Sequence, residues 1–329
     1  MVRGLRSQVR RRLAKAYFGG RLRPLDPTPI PRNPSEIRLF MVVRNAALRI
    51  PYLFRYYSEL GVDRFFVIDN GSTDETVAIL RRHDSTHVFS TTDRYSVTEC
   101  GVVWVESLMD RHARNQWCVI VDADELLAYP HYETVSLKPL CQFLDREGAT
   151  ALHSFLLDMY SDRPIAETIY AQGVPFLDAC RYFETGHRSR RPDGYWEGGV
   201  RRRVFGARNI LSKHNLVKYV AGTTILGGTH SLAGGRLSAV TGVTLHFKYF
   251  HDFAGQARLE TERGEHWNAG WQYKRYAEAV DKTPDLTLFY EGSVPYQGSR
   301  QLTELGLMTS TPEFDEFASL LEPRWGHKD

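Results

Sequence analysis

The sequence predicts an α/β protein whose mostly parallel sheet is flanked by helices. From residue 37 onward, short apolar runs alternate with stretches of helical period. The segments joining them are long enough for crossovers, and two of the runs end in aspartate-rich turns. Strand, helix, strand, helix at this spacing argues parallel pairing with right-handed connections.

The elements follow in order. "IRLFMVV" (37–43) is a buried strand. A helix comes next, with Pro51 near its start and Gly61 just past its end, the usual asymmetry. "RFFVI" is the second strand and residues 73–82 the second helix, opened by Ser72-Thr73-Asp74-Glu75 in capping-box spacing. "HVFST" is a short third strand, residues 98–113 are helical, and "WCVIV" is a fourth apolar strand that runs into "DADELLAYP". Beyond residue 150, "TALHSFLLDMY" and "GVTLHFKYF" are strand-like, residues 161–235 are loop-rich, and residues 252–281 are helical. Trp267 and Trp271, one turn apart, are expected in the core.

At 42% hydrophobic and 25% charged, the chain has the composition of a globular protein with a sizeable core. No apolar run approaches the ~18–20 residues needed to span a bilayer. Cys100, Cys118, Cys141 and Cys180 are scattered without metal-type spacing, the pattern of reduced thiols in a cytoplasm. The charge is uneven. Residues 1–25 hold eight basic side chains (Arg3, Arg6, Arg10, Arg11, Arg12, Lys15, Arg21, Arg23) and no acid, so a net charge of +3 leaves −5 for residues 26–329. Such an arm, with Leu5, Val9, Leu13 and Phe18 roughly along one side, suits an anionic membrane surface as well as a solvated tail. No nucleic-acid recognition motif accompanies the charge. The expected location is the cytoplasm, free or peripheral on the inner face of the membrane.

The chemistry lies at the strand ends. Asp69 closes the second strand, where open α/β sheets bind ligands. Asp74 suits the positive end of the following helix dipole. "VDADE" sets Asp122, Asp124 and Glu125 directly after the fourth strand. Crowded carboxylates repel one another, and a divalent cation is the usual relief. In "LHFKY", a strand directs His246 and Lys248 to one face, as suits a metal ligand and a diphosphate clamp.

Taken together, "VVRNAALRIPYLFRYYSELGVDRFFVIDNGSTDET" and "WCVIVDADELLAYP" resemble glycosyltransferase family 2, in its bacterial-type branch with a VRN opening and a DxDE metal motif. The resemblance covers about residues 37–130, with weaker likeness in "GGVRRRVFG", "LSKHNLVKY" and "LHFKYFHDF". It implies a GT-A (Rossmann-like) fold with a loop-rich acceptor side and C-terminal helices. It also implies a UDP- or GDP-sugar donor, Mn or Mg, and inversion at the anomeric carbon. Val43, Arg44 and Asn45 match the loop that borders the nucleotide, and Asp69 and Asn70 match the base or ribose contact. Asp122 and Asp124 match the Asp-x-Asp pair, the second as the direct metal ligand. The expected division is an arm and Pro-rich connector (1–34), a nucleotide-sugar half (35–150), an acceptor half (151–250) and a helical segment (251–329).

The chain departs from that pattern in lacking a visible Glu-Asp motif on the acceptor side. Glu197 in "GYWEGG" is the first choice of general base, since Tyr195 and Trp196 beside it could stack a sugar. Asp193 and Asp158 are the reserves. For Glu197 the plain structural alternative is pairing with Arg201, Arg202 or Arg203. The expected acceptor is a carbohydrate or lipid-linked glycan in cell-surface polysaccharide or glycoconjugate synthesis. Two other classes share the sheet and its acids. A sugar-phosphate nucleotidyltransferase needs a glycine-rich loop after the first strand, which "VVRNAALRIPY" lacks; a silent nucleotide- or glycan-binding protein needs no intact acid pair.

Overall fold

The computed structural model describes residues 2–26, 28–207 and 209–321, without the side chains of residues 2–8 and 267. The expected roles of Arg3, Leu5, Arg6 and Trp267 therefore lie outside the described residues. Nine strands form the main sheet. They are β1 (Arg23–Pro24), β2 (Arg38–Val43), β3 (Arg64–Asp69), β4 (Thr86–Ser90), β5 (Trp117–Ile120), β6 (Glu125–Ala128), β7 (Ala151–Asp158), β8 (Ser212–Lys218) and β9 (Gly242–His246). Their order in space is β1-β4-β3-β2-β5-β8-β7-β9-β6. Strands β4, β3, β2, β5, β7 and β9 run one way, while β1, β8 and β6 are reversed. The mostly parallel α/β sheet expected from the sequence is what the chain forms.

Helices cover both faces. They include α1 (Val2–Gly20), α2 (Ile50–Leu60), α3 (Thr76–Leu80), α4 (Val102–His112), α5 (Leu137–Glu147), α6 (Val200–Phe205), α7 (Phe253–Arg263) and α8 (Trp271–Lys282). Strand alternation sorts the core. Leu39, Met41, Phe65 and Val67 join Leu53, Tyr57 and Leu60 of α2 in one apolar cluster. Phe40, Phe66, Ile68 and Ile120 join Trp104, Leu108 and Met109 of α4 in another. A sheet buried on both sides needs its strands apolar at nearly every position, and β2, β3 and β5 are. Pro51 and Gly61 bound α2 as expected, Gly61 at φ +105 donating its N–H to the Ser58 carbonyl at 3.1 Å.

Several elements differ from the sequence-based expectation. The capping box does not form: the Ser72 hydroxyl accepts from the Asn45 N–H at 2.9 Å, and Glu75 makes no capping bond. Asp74 serves the helix start instead, accepting from the Thr76 N–H at 3.0 Å and the Thr76 hydroxyl at 2.5 Å. Strand β8 arises where loop was expected, and β6 forms in the "DADELLAYP" stretch, for which the sequence predicts no element. The single helix over 252–281 is broken, since Gly264 (φ +60) ends α7, and Asn268 and Ala269 also take positive φ. Trp271 is not a core residue: it is 43% exposed, with Arg275 over its ring.

The basic arm is a helix docked on the protein. Arg11 of α1 donates to Glu106 at 2.8 Å and Glu99 at 2.7 Å, and Lys15 pairs with Asp110 at 2.6 Å. Glu106 is fully buried and also accepts from the Ile225 N–H at 2.8 Å. Because that carboxylate depends on Arg11, the arm is part of the folded body. Arg11→Ala is expected to lower stability by about 2–4 kcal/mol, because it strands a buried charge. Urea unfolding of this variant beside Arg12→Ala, whose side chain is exposed, checks the claim; equal midpoints would refute it.

Candidate active site

Because β4, β3, β2, β5, β7 and β9 are parallel, their carboxyl ends share one edge, where ligands bind in such sheets. Two groups of functional side chains meet there. The first lies at the ends of β2 and β3. Asp69 is buried, and its carboxylate accepts from the N–H groups of Gly71 and Ser72, each at 3.2 Å. This fixes the turn in which Gly71 takes φ +75, and the carboxylate keeps lone pairs for a further donor. Asn70 donates to the carbonyls of Thr91 (3.2 Å) and Asp93 (3.0 Å), and Arg44 donates to the Asn70 carbonyl at 2.8 Å. Asn45, at φ +49, accepts from the Thr73 N–H at 2.8 Å. Val43 turns its side chain into the core and offers only its carbonyl, to the Asn70 N–H.

The second group is a charge cluster. Register places His246 of β9 opposite Glu125 of β6 on one side and opposite Asp158 of β7 on the other. His246 Nδ1 lies 2.6 Å from Asp158, and Nε2 lies 3.3 Å from Asp124. The short contact to an ionised carboxylate puts a proton on Nδ1. Arg201 of α6 grips Asp158 through two bonds, at 2.8 and 2.7 Å. Lys248 stands 3.6 Å from Asp124. Lys213 of β8 reaches Glu125 at 2.8 Å and Asp122 at 3.3 Å.

Burial and counter-charge compete at each of these groups. Desolvation works against the Asp124 carboxylate, yet His246 and Lys248 hold it well below the usual range. Desolvation likewise opposes the charge on His246, and Asp124 outweighs it, raising its pKa. Asp158, deeply buried, is held down at about 2 by Arg201 and His246. Lys213 loses hydration but stays protonated beside Glu125 and Asp122.

The structure thus gathers Asp122, Asp124, Asp158, His246 and Lys248 in one cluster, and Asp69, Asn70, Arg44 and Asn45 in a second on the same edge. Three expectations change. Asp158 is a poor general base, because a carboxylate held at about 2 between Arg201 and His246 does not take a proton near neutrality. Asp193 shapes a turn, paired with Arg191 at 2.8 Å and accepting from the Tyr195 N–H. Asp122, Asp124 and His246 do not form a ready metal cage: among the described residues no group of three or more His, Cys, Asp or Glu is so arranged. Glu197 sits on the short strand Trp196–Gly198, paired with Arg188–Arg190 in a hairpin outside the cluster's ion pairs. Its expected pairing with Arg201 or Arg203 does not occur, since those arginines hold Asp158 and Glu184.

The sequence marks Glu125 only as one of the crowded acids, and it gives Lys213, Arg201 and the Arg49–Asp252 pair (2.6 Å) no place in the site. Strand alternation in "SKHNLVK" could have drawn attention to Lys213, had that stretch been taken as a strand.

No known family profile matches the chain. A glycosyltransferase family 92 protein of Oryza sativa subsp. japonica is 28% identical over 152 residues, covering 40% of this chain. The chain spans 24% of that relative's length. This similarity supports a glycosyltransferase and does not point to family 2 specifically. Among solved structures, two of S. aureus TarS align. One covers 42% of this chain and 28% of that structure's chain, at 16% identity and a TM-score of 0.31. The other, of residues 1–349, covers 75% and 71%, at 14% identity and 0.33. Overlap that low leaves the architecture to be argued from the sheet itself.

The Arg201–Asp158 pair is open to direct test. Arg201→Met is expected to cost about 3–5 kcal/mol, and adding Asp158→Leu to recover part of the loss, because removing both charges leaves none stranded. Urea unfolding of the single and double variants checks this; a double variant less stable than Arg201→Met would overturn it.

Proposed function

We propose that this chain is a glycosyltransferase. It would move a sugar from a UDP- or GDP-sugar to a hydroxyl of a carbohydrate or lipid-linked glycan, with inversion. One observation carries the proposal: Asp124 stands 3.3 Å from His246 and 3.6 Å from Lys248 at the sheet edge that also bears the Asp69 loop. The similarity to the family 92 glycosyltransferase supports the same class. Cys118, Cys141 and Cys180 are buried thiols, which fits action in a reducing cytoplasm.

As a pair of ligands rather than a closed cage, Asp124 and His246 would hold a divalent cation, Mg or Mn. With its Nδ1 proton held by Asp158, His246 would offer Nε2 beside Asp124 once any proton there is displaced to solvent. Asp122, whose side chain is 57% exposed, stands at the mouth. Two or three protein ligands would leave other positions for diphosphate oxygens and water. When bound, the cation supplies positive charge against the departing diphosphate.

The chain's own side chains do the rest. Asp69 accepts from a ribose hydroxyl or base N–H, with Asn70 and Arg44 fixing its loop. Lys248, and Lys213 behind it, set positive charge near the phosphates, where negative charge grows as the glycosidic bond breaks. Asp158 and Arg201 hold His246 in place. Glu197 remains the proposed base on the acceptor side. Beside it, Arg188 lies over the Trp196 ring at 5.2 Å and takes one face of that ring from any sugar.

A screen of nucleotide sugars, with and without Mg or Mn, is expected to find metal-dependent release of nucleoside diphosphate from one donor class. Release from none would count against transfer. Asp124→Ala is expected to lose the thermal stabilisation that metal and nucleoside diphosphate together give the wild type. Equal stabilisation of both proteins would remove Asp124 from the metal site. Asp69→Asn is expected to weaken donor binding about 10–100-fold, the loss of one charged acceptor. Asp74→Asn, at the helix start, should leave affinity within about twofold. Titration of both variants with the same donor decides between them.

A further inference from the structure

Helix α1 is inside-out for a surface helix. Its inward face carries charge: Arg11 and Lys15 are spent on Glu99, Glu106 and Asp110, and Phe18 packs against the apolar cluster under α4. Its outward face carries Val9, Leu13 and Tyr17, which are 49%, 65% and 61% exposed. These lie at i, i+4 and i+8, one stripe of a 3.6-residue helix. Ala16 and Gly20 are exposed along the same stripe. Helical geometry sets Arg12 on one flank and Arg10 on the other, both exposed. Single exposed apolar side chains mean little, but an aligned stripe on a basic helix is a docking face.

We propose that this face of α1 docks on an anionic lipid bilayer, the helix lying flat in the headgroup region. Charge complementarity selects the occupant. Helix α1 has six basic side chains and no acid, which leaves −3 of the net +3 for the rest of the chain, so positive charge is concentrated at this one element. Arg10 and Arg12 can lay their alkyl stems beside the stripe and extend their guanidinium groups to lipid phosphates. Nucleic acid would satisfy the arginines but leave the apolar stripe in water. A second copy would bring the same arginines against each other, at a like-charge cost. The ion pairs to α4, with Arg21–Asp93 at 2.7 Å, clamp α1 so that the stripe has a fixed direction before any lipid arrives. The proposal rests on α1 alone and stands or falls apart from glycosyl transfer.

The full chain is mixed with sucrose-loaded vesicles of phosphatidylcholine, alone or with phosphatidylglycerol, and sedimented. Binding is expected only where phosphatidylglycerol is present, and it should fall as NaCl rises from about 0.1 to 0.5 M. The Val9→Ser/Leu13→Ser variant should partition about tenfold less, and Arg10→Gln/Arg12→Gln should lose the preference for the anionic lipid. Both pairs of side chains are exposed, so melting curves should match the wild type. No sedimentation of the wild type, or variants that bind as it does, would overturn the proposal. So would a wild-type dimer in light scattering that Val9→Ser/Leu13→Ser dissolves, which would make the stripe a self-interface.

Discussion

Neutralising charge at the carboxyl edge is the constraint on which the rest of this structure depends. Four acids (Asp122, Asp124, Glu125, Asp158) crowd the ends of β5, β6 and β7, and four bases (Arg201, Lys213, His246, Lys248) answer them. Leaving one such buried charge alone costs about 3–5 kcal/mol, a large fraction of a domain's net stability. The topology supplies the partners. Strand β8 is reversed between β5 and β7, so its amino end, with Lys213, lies where its neighbours' carboxyl ends lie. Strand β6 is reversed beside β9, which brings Glu125 level with His246. A wholly parallel sheet would have placed both amino ends at the far edge.

The same logic holds at a distance from the cleft. Glu106 on α4 is buried against the helix that covers it, and Arg11 answers its charge. With Arg11 and Lys15 turned inward in this way, α1 leaves Val9, Leu13 and Tyr17 outward. Ion pairing thus decides which face of the amino-terminal helix the protein keeps and which it offers.

The parts legible in the sequence are those where chemistry and period agree. β2, β3 and β5 are apolar at nearly every position because both faces are covered, and their lengths and boundaries follow closely. The Asp-x-Asp turn and the His246/Lys248 pair came out of local spacing, and they converge as spacing implied. β8 was hidden because "SKHNLVK" is polar and yet buried. Lys213 is answered by Glu125. Asn215 donates to the Ile120 carbonyl at 2.8 Å and accepts from Ser154 at 2.9 Å. Buried polar side chains with partners from three other strands look, one residue at a time, like a loop. Asp158 was legible as a strand-end acid; its role was not, because Arg201 comes from a helix 43 residues further along.

A cluster already balanced within the chain has consequences for what it binds. On the proposed reading, a cation arriving alone would add positive charge beside His246, Lys248 and Arg201. A nucleoside diphosphate arriving alone would set phosphates beside Asp122 and Asp124. Each disturbs a balance that the other restores, so the two should bind with positive coupling, each raising the affinity of the other by the same factor. Nor would the pre-paired state be idle. It keeps Asp124 ionised and His246 oriented before any ligand enters, so the groups need not be reorganised on binding. The ion pairs that hold this edge together are thus, on the same reading, the ones that ready it for a charged substrate.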